Sequence, residues 1–227
     1  MLSSRTLLSR RTFVAAAAAM LAALPSLSHA ADGKTKVACV GDSITFGAGV
    51  KDREKNAYPF VLAGLLGDKF EVKNFGVSGA TMLKKGDKPY DKQKAYKDAI
   101  DFKPDIVVIK LGTNDSKPQN WDKHKADYAG DYKAMIEAFH AANANVKVYC
   151  CLPVPVVGKG NFGIRNEIVQ PEMLPLIKQI ATDTKSGLID LYAPFAGKDA
   201  LIPDKVHPNA EGAAIIAKTV HEAIAGK

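Results

Sequence analysis

Cysteine is scarce: three in 227 residues, too few and odd in number for a disulfide framework. Cys39 lies in the apolar run Val37-Ala38-Cys39-Val40, and Cys150-Cys151 ends another that starts at Val146. Free thiols in such runs pack as small hydrophobes. No Cys/His spacing of the zinc-binding kind occurs. A histidine–carboxylate cluster of the sort a metal-dependent hydrolase needs is also missing, and nothing implies a cofactor. There is no long basic run and no interleaving of arginine with aromatics. The formal net charge is +7, but the charges are dispersed, as in Lys84-Lys85-Gly86-Asp87-Lys88. That pattern is a solvated surface and argues against nucleic acid as a partner, while a modest attraction for acidic substrates stays open. Internal repeats and low-complexity linkers are absent beyond the first thirty residues.

What is present starts with a leader. Arg5, Arg10 and Arg11 precede the apolar stretch Phe13–Leu24, and Ser28-His29-Ala30 offers small residues for cleavage. A basic start, an apolar middle and a small-residue end read as a secretory signal over residues 1–30. The apolar stretch is too short and too alanine-rich for a good membrane span, so stable membrane insertion of the mature chain is not expected. Ser9-Arg10-Arg11-Thr12-Phe13-Val14 resembles a twin-arginine export signal; an ordinary secretion signal holding two arginines is the alternative. Residues 31–227 then form a single domain, periplasmic or secreted. Losing those three arginines and no acid takes the charge from +7 to +4.

Strand and helix patterns alternate along this domain. Lys36–Val40, Phe70–Phe75, Asp105–Leu111, Val146–Cys151 and Gly187–Tyr192 read as five strands, Asp105–Leu111 being nearly continuous in β-branched residues. Tyr58–Leu66, Asp91–Phe102, His124–Ala142, Met173–Thr184 and Asn209–Ala225 read as helices, and Leu152–Pro171 as a long Pro/Gly-rich connection. Alternation of this kind predicts a three-layer α/β/α sandwich around a five-stranded, mostly parallel sheet. In such sheets the loops after the strands meet on one edge. Four qualify: Gly41–Gly47, Gly76–Thr81, Gly112–Asp115 and Asp204–His207.

Chemistry concentrates in those loops. Gly41-Asp42-Ser43-Ile44 follows the first strand directly and presents a serine hydroxyl at its carboxyl end. Asp204-Lys205-Val206-His207-Pro208 supplies an aspartate and a histidine. A serine hydroxyl is a poor nucleophile until a base takes its proton, and that base needs its other ring nitrogen held. Asp-x-x-His spacing lets both side chains point one way from a single turn. Elimination favours His207: His29 leaves with the leader, His140 and His221 fall within helices, and His124 precedes one. The structural alternative for Ser43 is a helix cap. Asp42 and Asp115 are expected to form turns or brace loops, Gly76 and Gly112 to serve tight turns, and Trp121 to pack just before a helix. There is no Gly-x-Ser-x-Gly elbow.

Four blocks in order, Gly41–Ile44, Asn74-Phe75-Gly76-Val77-Ser78-Gly79, Gly112-Thr113-Asn114-Asp115 and Asp204–Pro208, resemble those of the SGNH, or GDSL-type, esterase and lipase superfamily, with a flavodoxin-like sheet. The resemblance implies Ser43 as nucleophile, His207 as base and Asp204 as orienting acid. It implies an oxyanion hole built from the amides of Ser43 and Gly79 and the side-chain amide of Asn114. Gly79 suits a close backbone approach.

The stretches Gly49–Tyr58, Asn74–Gly86 and Gly163–Glu167 are similar to those of bacterial superfamily members grouped with carbohydrate esterases, relatives of acetylxylan and sialate acetylesterases. They imply removal of acetyl groups from an acetylated sugar or polysaccharide. Arg165 is a candidate contact for an acidic sugar, or a surface arginine bracing Glu167. Two other readings stand beside this one. A lysophospholipase, thioesterase or arylesterase would use the same residues with a longer acyl pocket, and a non-catalytic carbohydrate-binding protein would have no need of all three of Ser43, Asp204 and His207. The sequence leaves oligomeric state open.

Overall fold

The computed structural model describes residues 33–226; the leader read in residues 1–30 lies outside them. The chain runs β1 (Thr35–Gly41), α1 (Ser43–Phe46), α2 (Arg53–Asn56), α3 (Tyr58–Leu66), β2 (Phe70–Gly76), α4 (Lys94–Asp101), β3 (Ile106–Lys110), α5 (Pro118–His124), α6 (Tyr128–Ala142), β4 (Lys147–Leu152), α7 (Asn166–Ile168), α8 (Leu174–Asp183), β5 (Gly187–Asp190) and α9 (Ala210–Ala225). The five strands lie in the order β2-β1-β3-β4-β5, and every pairing is parallel. This is the flavodoxin-like strand order, in which the direction of winding reverses between β1 and β3.

Alternation within the strands builds two cores. Ala38, Val40, Val107, Ile109, Val148 and Cys150 point to one face and pack with Tyr132, Ile136 and Phe139 of α6 and Ile177 of α8. Val37, Cys39, Val108, Cys151 and Ile189 point to the other and pack with Leu62 of α3 and Ile216 and Val220 of α9. β3 is buried along its whole length, as the centre of a doubly covered parallel sheet must be. All three cysteines are free and buried. Burial pushes the Cys39 thiol up to about 12 and that of Cys150 to about 11, so neither offers a reactive thiolate near neutral pH.

The expected elements exist; their ends and breaks differ. The helix expected over His124–Ala142 is divided: α5 carries Trp121 and ends at His124, a short 3-10 turn spans Lys125–Asp127, and α6 starts at Tyr128. Trp121 is therefore a helical residue, buried, with its ring N–H donating to Glu172 at 2.9 Å. The connection Leu152–Pro171 contains α7 and enters a π-helical segment, Val169–Met173, that leads into α8. Asn209 caps α9, its side chain accepting the Gly212 amide at 3.0 Å.

Gly76 does not serve a tight turn. A β-carbon there would stand 2.2 Å from the amide nitrogen of Phe46 and 2.6 Å from the carbonyl carbon of Thr45. It lets α1 settle directly on the end of β2. Backbone on both sides leaves nothing free to rotate away, so Gly76→Ala is expected to lose about 2 kcal/mol of stability by overpacking. Urea unfolding should show a lower midpoint at unchanged slope.

Candidate active site

β1 ends at Gly41, and the next residue turns the chain. Asp42 is extended and accepts the Ile44 amide on its side chain at 3.0 Å. That cap starts α1 at Ser43, and Gly47, left-handed at φ 93°, ends it one turn later. Ser43 thus stands at the head of a single helical turn on the carboxyl edge of the sheet. The chain returns to this edge after β5, where Asp204, Val206 and His207 form a compact turn. One oxygen of Asp204 accepts the amides of Val206 at 3.0 Å and His207 at 2.6 Å. The other lies 2.6 Å from His207 Nδ1. His207 Nε2 lies 2.8 Å from Ser43 Oγ.

The hydrogen roles follow from the inventory of donors. An ionised carboxylate only accepts, so Nδ1 donates toward Asp204; in the neutral ring Nε2 is then the acceptor for the Ser43 hydroxyl. Burial raises the Asp204 carboxyl, but the amide and ring of His207 and the amide of Val206 outweigh it and hold it below the usual carboxylate range.

The other two loops complete the edge. Gly79 is left-handed at φ 81°. A β-carbon there would meet only Lys88 Cδ, at 3.6 Å, so the backbone conformation, more than crowding, calls for glycine. Asn114, at the start of a 3-10 turn after β3, is buried. Its side-chain N–H donates to the Ala80 carbonyl at 3.1 Å, which fixes the amide and leaves its second hydrogen available. Among the described residues neither the Ser43 nor the Gly79 amide donates to another backbone group. A cleft of about 230 Å³ is lined by Ser43, Ala48, Ser78, Gly79, Asn114, Lys117, Phe162, Ile164 and His207. A larger hollow of about 490 Å³, lined by Phe46, Arg53, Phe60 and Asn74 among others, includes neither Ser43 nor His207. Arg165 does not line the cleft; its guanidinium and Nε engage Asp122 at 2.7 Å and the Ser116 carbonyl at 2.6 Å. It braces Asp122 and not Glu167.

Residues 39–215 match the profile of the GDSL-like Lipase/Acylhydrolase family. The chain belongs to that family. It is 39% identical over 219 residues, 88% of its length, to an acetylxylan esterase of Xylanibacter ruminicola, and spans 45% of that longer protein. Among solved structures, an acetylxylan esterase of Geobacillus stearothermophilus superposes with a TM-score of 0.60 at 26% identity, over 85% of this chain and 95% of that one. A carbohydrate acetylesterase of Sinorhizobium meliloti superposes with a TM-score of 0.67 at 21% identity, over 85% and 99%. This last likeness concerns the fold alone.

Behind the cleft, this GDSL-family chain carries two buried acids with separate tasks. Lys110, the last residue of β3, is fully buried with Asp42. Its ammonium donates to both Asp42 oxygens at 3.1 and 3.0 Å and to Thr113 Oγ1 at 2.7 Å. All three of its hydrogens are placed. A lysine ending a run of β-branched residues was a visible signal for this pair, since a charge in a buried strand needs a partner. Asp115 accepts the amides of Met82 at 2.9 Å and Leu83 at 2.7 Å, anchoring the chain just beyond Gly79.

Burial pushes the Asp115 carboxyl up to about 7, helped by the charge of Asp42 and opposed by the two amides. The native state then holds a proton that the unfolded chain gives up near pH 4, so Asp115 favours folding fully below that pH and loses the advantage as pH rises through 7. Relative to Asp115→Asn, wild-type stability is expected to fall by about 2 kcal/mol between pH 5 and pH 7. Parallel urea titrations of both proteins at the two pH values check this.

Proposed function

We propose that this chain is a serine esterase that removes O-acetyl groups from a carbohydrate through an acyl-enzyme. The observation that carries the reading is the unbroken chain from Asp204 through His207 to Ser43, opening on a cleft at the sheet edge. In the first step His207 Nε2 takes the Ser43 proton as Oγ attacks the acetyl carbonyl. The imidazolium that forms is stabilised by Asp204, which also keeps the ring oriented. The oxyanion develops where the Ser43 and Gly79 amides and the free N–H of Asn114 can donate. His207 then gives its proton to the departing sugar oxygen, and water repeats the sequence in reverse to release acetate. The cleft of about 230 Å³ has room for an acetyl group beside Ser43. The likeness to acetylxylan esterases supports a sugar as the alcohol. An arylesterase is the second reading, favoured by the exposed Phe162 beside His207.

Hydrolysis of 4-nitrophenyl acetate, butyrate and octanoate, followed by acetate release from acetylated xylan, tests the reading. Activity should be confined to the short esters and extend to the polymer; a preference for octanoate overturns the deacetylase assignment. Ser43→Ala should fold normally and lose about 10⁵-fold or more in kcat. Asn114→Ala should lose about 100- to 1000-fold. Asp204→Asn should retain more activity than His207→Ala, because Asp204 acts through the ring.

The same proposal includes export. Removal of residues 1–30 should leave Ala31 as the amino terminus of the protein recovered outside the cytoplasm, which intact-mass measurement reads directly. A twin-arginine route predicts that Arg10→Lys together with Arg11→Lys abolishes export.

A further inference from the structure

Phe162 is the most exposed large hydrophobic side chain among the described residues, at 58%. Its backbone is left-handed at φ 55°, a conformation rare for an aromatic residue. The surrounding loop shares it: Gly158, Gly160 and Gly163 all have positive φ. This loop is not a loose tip. Gly160 N–H donates to the Val157 carbonyl at 3.0 Å, Ile164 N–H to the Asn161 carbonyl at 2.9 Å, and Val157 N–H to the carbonyl of Lys205, the residue next to Asp204 on the candidate catalytic turn, at 3.0 Å. Phe162 N–H donates to Asn161 Oδ1 at 2.9 Å. On the far side Arg165 ties the loop to Ser116 and Asp122. Folding gains nothing from holding an apolar ring in water on a strained backbone. Such an outlier points to function.

The ring sits at the mouth of the cleft, with its centroid 5.7 Å from that of His207 and tilted by 53°. Lys117 lines the same cleft, with its ammonium 3.3 Å from Asp87 Oδ2. Asp87 is also held by Gln119 and Asn120, both at 3.0 Å. We propose that Phe162 is the platform for the sugar ring that bears the acetyl ester. One apolar C–H face of a pyranose would lie on the aromatic face, and Lys117 would donate to a ring hydroxyl. The proposal rests on the carbohydrate deacetylase reading and goes beyond it by naming where the sugar binds. An acyl chain calls for an enclosed groove, whereas a sugar ring is apolar on its faces and wet at its edge, which matches an open aromatic at a cleft mouth.

The test compares wild type, Phe162→Asn and Phe162→Trp on acetylated xylo-oligosaccharides and on ethyl acetate, which carries no ring. Asparagine accepts the left-handed backbone, so the fold should be kept; thermal unfolding checks it. Phe162→Asn is expected to raise KM for the oligosaccharides about tenfold or more while kcat/KM on ethyl acetate stays within about twofold, and Phe162→Trp should restore KM. An equal loss on both substrates would make Phe162 a support for His207, and no loss on either would remove its role; each overturns the platform. If wild type turns over ethyl acetate but no acetylated sugar, the deacetylase reading fails by itself. Calorimetric titration with unacetylated xylo-oligosaccharide then decides the platform: binding that Phe162→Asn abolishes upholds it, and absence of binding to wild type overturns it.

Discussion

The buried ammonium of Lys110 and the buried carboxylate of Asp42 hold together the two strand ends on which the candidate site depends. Lys110 closes β3 and Asp42 follows β1, so the pair spans the point where the sheet reverses its winding. Two charges buried without each other would be costly, and removing either partner of such a pair typically costs about 3–5 kcal/mol. Here every lysine hydrogen is placed, two on Asp42 and one on Thr113. Asp42 at the same time caps the turn that carries Ser43, and Thr113 precedes Asn114. One ion pair therefore fixes the serine against the candidate oxyanion donor that follows β3.

Three aspartates around this edge differ in environment and so in task. Asp204 is only half-buried and rich in donors, which keeps it ionised beside the His207 ring. Asp42 is wholly buried but answered by a cation. Asp115 is wholly buried and answered by backbone amides with no cation, which leaves its carboxyl high. The first orients a ring, the second ties strand to turn, and the third secures the loop beyond Gly79. Residue type is the same in each case; burial and the nature of the partner separate them.

The parts of the site carried by short segments were legible in the sequence. Gly41–Ile44 after an apolar run, Asp204 and His207 three apart, and a Gly-Thr-Asn-Asp loop after the most β-branched strand all fall where the chain returns to the sheet edge. The inner strands were legible because a parallel sheet covered on both faces makes them almost wholly apolar, and β2, at the edge, by its alternation of apolar and polar residues. The break between α5 and α6 was not, because apolar spacing continues through Lys125–Asp127 while the backbone tightens. Nor was the reason for Gly76, since a close contact with α1 leaves no local pattern. Arg165 could be read as a candidate ligand contact because its partner, Asp122, is distant in sequence.

The sequence by itself determined the alternation of strands and helices, the order of the four loops and the residue types able to do the chemistry, because periodicity, capping and turn preference are local properties. Only the tertiary structure decided which of those groups meet. It set Ser43 2.8 Å from His207 across 164 positions of chain, gave Lys110 its partner, turned Arg165 toward Asp122, and held Phe162 at the mouth of the cleft. Those pairings depend on strand order and on the packing of loops, which no local stretch of sequence contains.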